Sequence, residues 1–132
     1  MTDDHLLFRI EALVLIGIGG FTGASLRFGI GQVVPGLGGT LVVNTLGSLV
    51  LGFVLYEAIY AGLLSDRTRF VVATGFLSSF TTYSTFALET LSSPELALAN
   101  VLLTYALGFG GVLVGRELAA RVREPTTVGE VA

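Results

Sequence analysis

The sequence predicts an all-α integral membrane protein with four transmembrane helices, of which the third is broken in the middle of the membrane. The first observation is composition: of 132 residues, 52% are hydrophobic and only 13% are charged, a balance typical of chains that lie in lipid. The second is a series of apolar segments long enough to cross a bilayer, separated by short polar stretches. We expect one domain over residues 1–132 that ends in a polar tail at residues 116–132. The spans comprise residues 12–30, 37–64, 70–91 and 95–115.

The same composition excludes several classes of function. The chain has no cysteine, so it can form no disulfide and no cysteine-based metal or thiolate site. It offers no basic patch to nucleic acid, and Asp3-Asp4 stand where a secretory signal would carry positive charge. No acidic, lysine or histidine side chain lies near the centre of a predicted span, because Glu57 and Glu89 fall toward helix ends. We therefore expect neither an enzyme nor a proton-coupled transporter.

The first span combines small residues with a single cation. Gly19 and Gly23 are four residues apart, as are Gly20 and Ala24, and this spacing lets a neighbouring helix approach closely. Arg27 lies near the end of the span. It snorkels to the membrane surface as an anchor, attracts anions into a vestibule, or bonds to a loop carbonyl.

The second span carries polar side chains on one face. Thr40, Asn44 and Ser48 are spaced four apart, so they stack along one side of a helix. An amide inside the membrane is costly unless it is paired. Asn44 therefore either forms a hydrogen bond between helices or lines a pathway.

The third span contains the stretch on which the rest of the prediction depends. Residues 75–86 hold six Ser or Thr hydroxyls and Tyr83 within an otherwise apolar run. Side-chain hydroxyls can replace the internal hydrogen bonds of a helix, so we expect the helix to unwind here. Unwound backbone in a membrane must be buried in protein or line a wet cavity. The alternative is that the hydroxyls join helices or bond to carbonyls one turn earlier.

The fourth span begins with a helix-start signal. Ser93 is suited to the N-cap and Pro94 to the first helical position. Further along, Asn100, Thr104 and Gly108 recur at four-residue spacing and therefore share one face.

Together these residues predict a neutral polar pathway that suits a small anion. Hydroxyl and amide donors replace part of an anion's hydration shell without a fixed cation that would trap it. The positive ring edges of Tyr83 and Phe86 can also face an anion. Carbonyls released by the unwound third span need a partner, and a buried monovalent cation is a natural one. Because side chains fill the centre of a thin four-helix bundle, we place the pathway at an interface between subunits.

Three motifs in successive spans resemble the signatures of the CrcB/Fluc family of fluoride channels, and the third motif is the specific one. The fourth span is consistent with the resemblance, which therefore covers nearly the whole chain. In chain order the motifs are Gly19-Gly20…Gly23-Ala24…Arg27, Gly39-Thr40-Leu41…Val43-Asn44…Gly47 and Gly75-Phe76…Thr81-Thr82-Tyr83-Ser84-Thr85-Phe86.

The resemblance implies a passive fluoride-selective channel that exports fluoride from the cytoplasm and is built as an antiparallel dimer with two pores. It also implies a structural sodium ion, Na+, at the dimer centre, held by the backbone carbonyls of Ser78 and Thr81. Two positions depart from the family: Ser78-Ser79 stand where it usually has Gly-Gly, and Tyr83 stands where it usually has Phe. The pore residues implied by position are Asn44, Tyr83, Phe86, Thr40, Ser84, Thr85, Thr104 and Arg27.

The positions of the arginines predict an orientation and a partner. With four spans, the N-terminus, the second loop and the C-terminal tail share one side of the membrane. Arginines near span ends face the cytoplasm, so both termini are expected there. A chain that forms an antiparallel dimer with itself must insert in both orientations, which requires similar numbers of arginines on the two sides of the membrane. The arginines here are unequally divided, so we expect an oppositely oriented homologous subunit as partner. The shared side holds Arg9, Arg67, Arg69, Arg116, Arg121 and Arg123, whereas only Arg27 lies toward the other.

Two other functions are compatible with four short-looped spans in a cell membrane. A small dual-topology drug or cation exporter needs an acid within the first span, and Glu11 at its edge is the only candidate. A structural membrane subunit without transport activity would leave the hydroxyl-rich stretch of the third span unexplained.

Overall fold

The computed structural model describes residues 2–122, so the end of the predicted tail lies outside the described residues. Within this part of the chain every regular element is helical. Three of the helices, α1, α2 and α6, are long and apolar enough to cross a membrane. The elements are α1 (Thr2–Val33), α2 (Leu37–Tyr60), α3 (Asp66–Val71), a π-helix (Val72–Leu77), α4 (Ser78–Phe80), α5 (Tyr83–Ser92) and α6 (Ala97–Val122).

The first and last helices are longer than the predicted spans. α1 begins at Thr2 rather than near residue 12, and α6 continues to Val122 rather than ending near residue 115. The first part of the predicted tail is therefore helical. An ion pair one turn apart, between Arg121 Nε and Glu117 Oε1 at 3.3 Å, stabilises this extension.

The second helix ends at Tyr60, earlier than the predicted boundary near residue 64. The helix ends in a turn at Gly62, whose φ of 66° lies in the left-handed region, and the carboxylate of Glu57 accepts hydrogen bonds from the backbone N–H groups of Leu63 and Leu64. Those N–H groups point at a side chain instead of at helix carbonyls, so the chain turns away from the helix axis. Glu57 is only 1% exposed and also accepts a hydrogen bond of 3.2 Å from Arg69 Nε.

The start of α6 also differs from the prediction based on Ser93 and Pro94. The backbone N–H of Ser93 donates to the Glu89 carbonyl at 3.1 Å and closes α5. Residues 94–96 form a turn, and the helix begins at Ala97. Because α6 begins four residues after Ser93, Ser93 does not occupy its N-cap position.

The helices α2 and α6 form the most extensively packed pair, and glycines bring their backbones together. A Cβ atom on Gly52 would lie 2.6 Å from the carbonyl oxygen of Val112. A Cβ atom on Gly111 would lie 2.8 Å from the carbonyl oxygen of Thr45. Both distances are below van der Waals contact, so this approach requires residues without side chains.

A second pair joins α1 to the π-helix. A Cβ atom on Gly75 would lie 2.7 Å from the carbonyl oxygen of Ile16, and one on Gly19 would lie 3.1 Å from the backbone nitrogen of Phe76. The small-residue row predicted in the first span therefore packs against the backbone of the π-helix.

Side-chain contacts gather three parts of the chain at one end of the molecule. Arg67 forms an ion pair with Glu11 and so joins α3 to the first half of α1. Arg116 Nε donates to the Tyr60 hydroxyl at 3.3 Å and joins the last turns of α6 to the end of α2. Arg27 lies toward the other end, where it lines a cavity next to the turn between α1 and α2.

We expect Gly111→Ala to lower the free energy of unfolding by about 1–3 kcal/mol, because the added methyl group overpacks the α2–α6 contact. Thermal unfolding of the purified protein in detergent measures this change. Gly110→Ala is the matched control: a Cβ atom there meets nothing within 4 Å, and alanine has the higher helix propensity. Equal stability of the two variants would contradict the packing argument.

Candidate functional site

The third helical segment, which runs from the start of α3 at Asp66 to the end of α5 at Ser92, changes its backbone conformation twice within residues 72–82. It passes through the π-helix and the short α4, and then becomes extended at Thr81 (φ −79°, ψ 162°) and Thr82 (φ −148°, ψ 122°). The α-helical conformation resumes at Tyr83. These two extended residues lie within the hydroxyl-rich stretch from which the sequence predicted unwinding.

The side-chain amide of Asn44 on α2 binds both backbone polar groups of Thr82. Its Nδ2 donates to the carbonyl oxygen of Thr82 at 2.9 Å, and its Oδ1 accepts from the backbone N–H of Thr82 at 2.8 Å. Thr82 is only 8% exposed, so an unpaired backbone group here would be destabilising. The amide thus replaces the helical hydrogen bonds that Thr82 lacks, and one N–H of Asn44 remains available to a ligand.

The hydroxyls around the extended residues serve two local purposes. Ser78 and Thr81 donate back to carbonyls of the preceding turn, Ser78 to Thr74 and Gly75, and Thr81 to Leu77 at 2.9 Å. The back-bonding alternative is therefore correct for these two side chains. The Thr82 hydroxyl instead accepts from the backbone N–H of Thr85 at 3.2 Å and caps α5.

A groove of about 550 Å³ opens between α2, the third segment and α6. Among the described residues, none that lines it is charged. Phe86 is 8% exposed, whereas Tyr83 is 76% exposed, and their ring centroids are 5.9 Å apart. The residues that line the groove include Asn44, Ser48, Ser78, Thr81, Thr82, Tyr83, Phe86, Thr104, Tyr105 and Phe109.

The predicted site residues are divided between this groove and a second cavity of about 270 Å³. The second cavity contains Thr40, Thr85 and Arg27, and it also contains the carboxylate-bearing Glu89. Ser84 lines neither cavity; its hydroxyl lies 3.5 Å from that of Thr82. Thr82 lines both cavities and therefore stands between them.

Two aromatic residues of α6 complete the groove and were not predicted. The ring of Tyr105 meets that of Phe86 edge to face, with centroids 6.5 Å apart and an interplanar angle of 89°. Phe109 follows one turn later, 6.4 Å from Tyr105. Their spacing of four on the face next to Thr104 is a signal that a search for aromatic pairs would have found.

The carbonyl oxygens of Ser78 and Thr81 are free within the described part of the chain. The N–H of Thr82, which would bond to the Ser78 carbonyl in a continuous helix, donates to Asn44 instead. The N–H of Thr85, which would bond to Thr81, donates to the Thr82 hydroxyl. Both carbonyls can therefore accept a donor or a cation from outside the chain.

The arrangement offers neutral hydrogen-bond donors and aromatic edges along one wall. An amide N–H of Asn44 and the hydroxyl of Thr104 face the same groove as the rings of Phe86 and Tyr105. Such groups stabilise a partly dehydrated anion weakly enough for it to leave again. Residues 5–122 contain no cluster of three His, Cys, Asp or Glu side chains that would hold a metal ion.

The chain matches one protein family and several named relatives. The family model described as "CrcB-like protein, Camphor Resistance (CrcB)" matches residues 14–116. Fluoride-specific ion channel FluC 1 of Haloarcula marismortui is 55% identical over 118 residues, which cover 89% of this chain and 93% of that protein. FluC 1 of Natronomonas pharaonis is 54% identical over 111 residues (82% and 93%). FluC 2 of Halobacterium salinarum is 49% identical over 119 residues (87% and 93%).

We expect Asn44→Leu to destabilise the protein, because it leaves the N–H and C=O of Thr82 without partners at about 1–3 kcal/mol for each buried group. Thermal unfolding in detergent again provides the measurement. Thr45→Val is the matched control on the next position of α2, since the buried Thr45 hydroxyl has no hydrogen-bond partner among the described residues. That variant should be as stable as the wild type or slightly more so. A larger loss in Thr45→Val than in Asn44→Leu would contradict the role given to Asn44.

Proposed function

The chain belongs to the CrcB-like family, and we propose that it is a passive, fluoride-specific ion channel of a cell membrane. Two relatives whose sequences are 55% and 54% identical to it are fluoride-specific ion channels. The region that matches the family model contains every residue that lines the groove. The channel exports fluoride from the cytoplasm down its electrochemical gradient. An interior-negative potential favours exit of an anion by about 2.3 kcal/mol per 100 mV, so export needs neither ATP nor a proton gradient.

The observation that best supports this function is the uncharged groove beside the extended backbone of Thr81 and Thr82. Fluoride is small and strongly hydrated, so a pathway must supply donors in place of water without binding the ion too tightly. The amide of Asn44 and the hydroxyl of Thr104 supply donors, and the edges of Phe86 and Tyr83 supply weaker positive potential. Arg27 in the second cavity would attract anions at that end, against the opposing charge of Glu89 in the same cavity.

The proposal includes four membrane spans, with the third interrupted inside the membrane. The first, second and fourth spans are α1, α2 and α6. The third span is the segment from α3 to α5. Residues 70–88 contain no charged side chain, which suits a segment at membrane depth. The extended residues Thr81 and Thr82 are tolerated there because Asn44 pairs with the backbone of Thr82 and protein surrounds it.

The proposal also includes an antiparallel dimer with two pores. One wall of the groove is open in the single chain, where Tyr83, Tyr105 and Phe109 are 76%, 54% and 69% exposed. Exposed aromatic residues beside polar ones are typical of protein interfaces. A second subunit over this face would close the groove into a pore, and two-fold symmetry would produce two of them.

A structural sodium ion at the dimer centre completes the assembly. The residues present fit such an ion, because the carbonyls of Ser78 and Thr81 are free while the Ser78 hydroxyl is turned back to Thr74 and Gly75. The serine that replaces the usual glycine therefore leaves its carbonyl available. The ion would supply positive charge that neutralises carbonyl dipoles from both subunits.

The exporter alternative has less support. Glu11, the acid that such a mechanism would require, is paired with Arg67 at the end of the molecule where α1 meets α3. A carboxylate in an ion pair outside the groove is poorly placed to exchange protons with a cargo.

Fluoride release from vesicles tests the function. The chain purified in detergent together with its oppositely oriented homologue, and reconstituted in vesicles loaded with fluoride and chloride, should release fluoride with no proton gradient, as followed by an ion-selective electrode. Phe86→Ile should abolish most of this flux, because it keeps apolar bulk but removes the ring edge. Phe28→Ile is the control, since Phe28 is 69% exposed on α1 and lines neither cavity.

The outcomes separate function from assembly. Assembled dimers that release chloride as fast as fluoride, or that release nothing, would contradict the proposed function. Inactive monomers would point instead to a missing second subunit. Normal flux in Phe86→Ile would place the pathway elsewhere.

We propose that both termini are cytoplasmic and that the partner is a homologue of opposite orientation. The structure places Arg67, Arg69 and Arg116 at one end and Arg27 toward the other, an imbalance that favours one orientation. In intact cells, an impermeant thiol reagent should label Val33→Cys but not Leu63→Cys, which lies in the α2–α3 loop. Because the chain has no cysteine of its own, each label has one source. Equal labelling of both variants would establish dual topology and contradict the heterodimer.

A further inference from the structure

A buried amide of α6 connects two groove residues without itself lining the groove. Asn100 is 7% exposed, and its Nδ2 donates to the hydroxyl of Thr90 on α5 at 2.7 Å. The Thr90 hydroxyl in turn donates to the backbone carbonyl of Phe86 at 2.7 Å. Neither Asn100 nor Thr90 lines the groove that contains Phe86.

The direction of this hydrogen-bond chain is fixed by its chemistry. The Thr90 hydroxyl has one proton, which goes to the Phe86 carbonyl, so its oxygen is left to accept from Asn100. Consecutive hydrogen bonds that point the same way strengthen one another in a water-poor environment. The amide of Asn100 therefore holds Phe86 through its backbone.

The same helix α6 holds Phe86 a second time through its ring. Tyr105, five residues after Asn100, meets the ring of Phe86 edge to face at 6.5 Å. One contact fixes the position of the α5 backbone and the other fixes the rotation of the ring. These two contacts matter because α5 is only 10 residues long, and its N-cap is the extended Thr82.

Asn100 also reaches a donor of the groove. Its Oδ1 lies 3.5 Å from the hydroxyl of Thr104, at the limit of a hydrogen bond. So long a bond is weak, and the proton of Thr104 can turn toward a ligand in the groove at little cost. The amide thus gives this hydroxyl a resting partner when no anion is present.

We infer that Thr90 and Asn100 are positioning residues of the fluoride pathway: they set the Phe86 ring and the Thr104 hydroxyl at the distance at which an anion meets both. This inference rests on the proposed channel function. It adds two residues that the groove does not expose, and it assigns them to conduction rather than only to helix packing.

The test compares variants of Thr90 in the vesicle assay, with flux normalised to assembled protein. Thr90→Val has nearly the same shape but no hydroxyl, and fluoride flux should fall about five- to tenfold, the effect of losing one buried hydrogen bond. Thr90→Ser keeps the hydroxyl and should restore most of the flux. Thr22→Val is the control, because Thr22 makes the same kind of back-bond, to the Ile18 carbonyl at 2.9 Å, on an exposed part of α1.

Two results would overturn the inference: wild-type flux in Thr90→Val, or equal losses in Thr90→Val and Thr90→Ser, which would indicate packing alone. If Thr90→Val does not assemble, the double variant Thr90→Val/Asn100→Leu strands no buried amide and serves in its place. Wild-type flux in that variant would also overturn the inference. Absence of flux from assembled wild-type dimers would instead contradict the channel function, so the two failures are distinguishable.

Discussion

The pairing of Asn44 with the backbone of Thr82 is the interaction on which the rest of this structure depends. An extended residue inside an apolar helical bundle is destabilising unless its N–H and C=O find partners, and one primary amide supplies both. Because this amide takes the N–H of Thr82, the Ser78 carbonyl loses its helical donor. Because the Thr82 hydroxyl takes the N–H of Thr85, the Thr81 carbonyl loses its donor too. Asn44 of α2 thus allows the interruption, and together with the Thr82 hydroxyl it leaves free the two carbonyl oxygens that a cation would need.

Close backbone contacts at glycines hold the helices in the positions that this interaction requires. Glycines join α2 to α6 and α1 to the π-helix through direct backbone contact. The third segment is thereby pressed against α1 on one side, while α2 presents Asn44 on the other. The face left open is the aromatic one, with Tyr83, Tyr105 and Phe109. The fold therefore has a glycine-packed interior and a groove whose aromatic side is exposed in the single chain.

Hydrogen-bond direction decides which donors the uncharged groove can offer to an anion. Several groove hydroxyls are committed to backbone carbonyls, as with Ser78 and Thr81, and these present oxygen rather than hydrogen to their surroundings. Donors that remain available in the groove are an N–H of Asn44, the weakly engaged hydroxyl of Thr104 and the hydroxyls of Ser48, Tyr83 and Tyr105. A small number of well-placed donors and ring edges suits an ion that must be released again. The proposed role of Asn100 and Thr90 concerns chiefly the ring, because their hydrogen bonds lead to the backbone carbonyl of Phe86.

The sequence by itself determined the membrane class, the hydroxyl-rich position at which the third segment leaves the helical conformation, and the candidate residues Asn44, Tyr83, Phe86 and Thr104, because hydropathy and residue spacing are local properties. It did not determine that α1 begins earlier and α6 ends later than the predicted spans, because ion pairs and continuing helical hydrogen bonds there outweigh the change in polarity. Only the tertiary structure decided that Glu57 of α2 pairs with Arg69 of α3, that Thr40, Thr85 and Arg27 occupy a different cavity from Phe86, and that Tyr105 forms part of the groove. Each of these depends on which atoms of distant segments meet. Spacing along one helix shows which side chains share a face, but the packing of α2 against α6 decides what that face contacts.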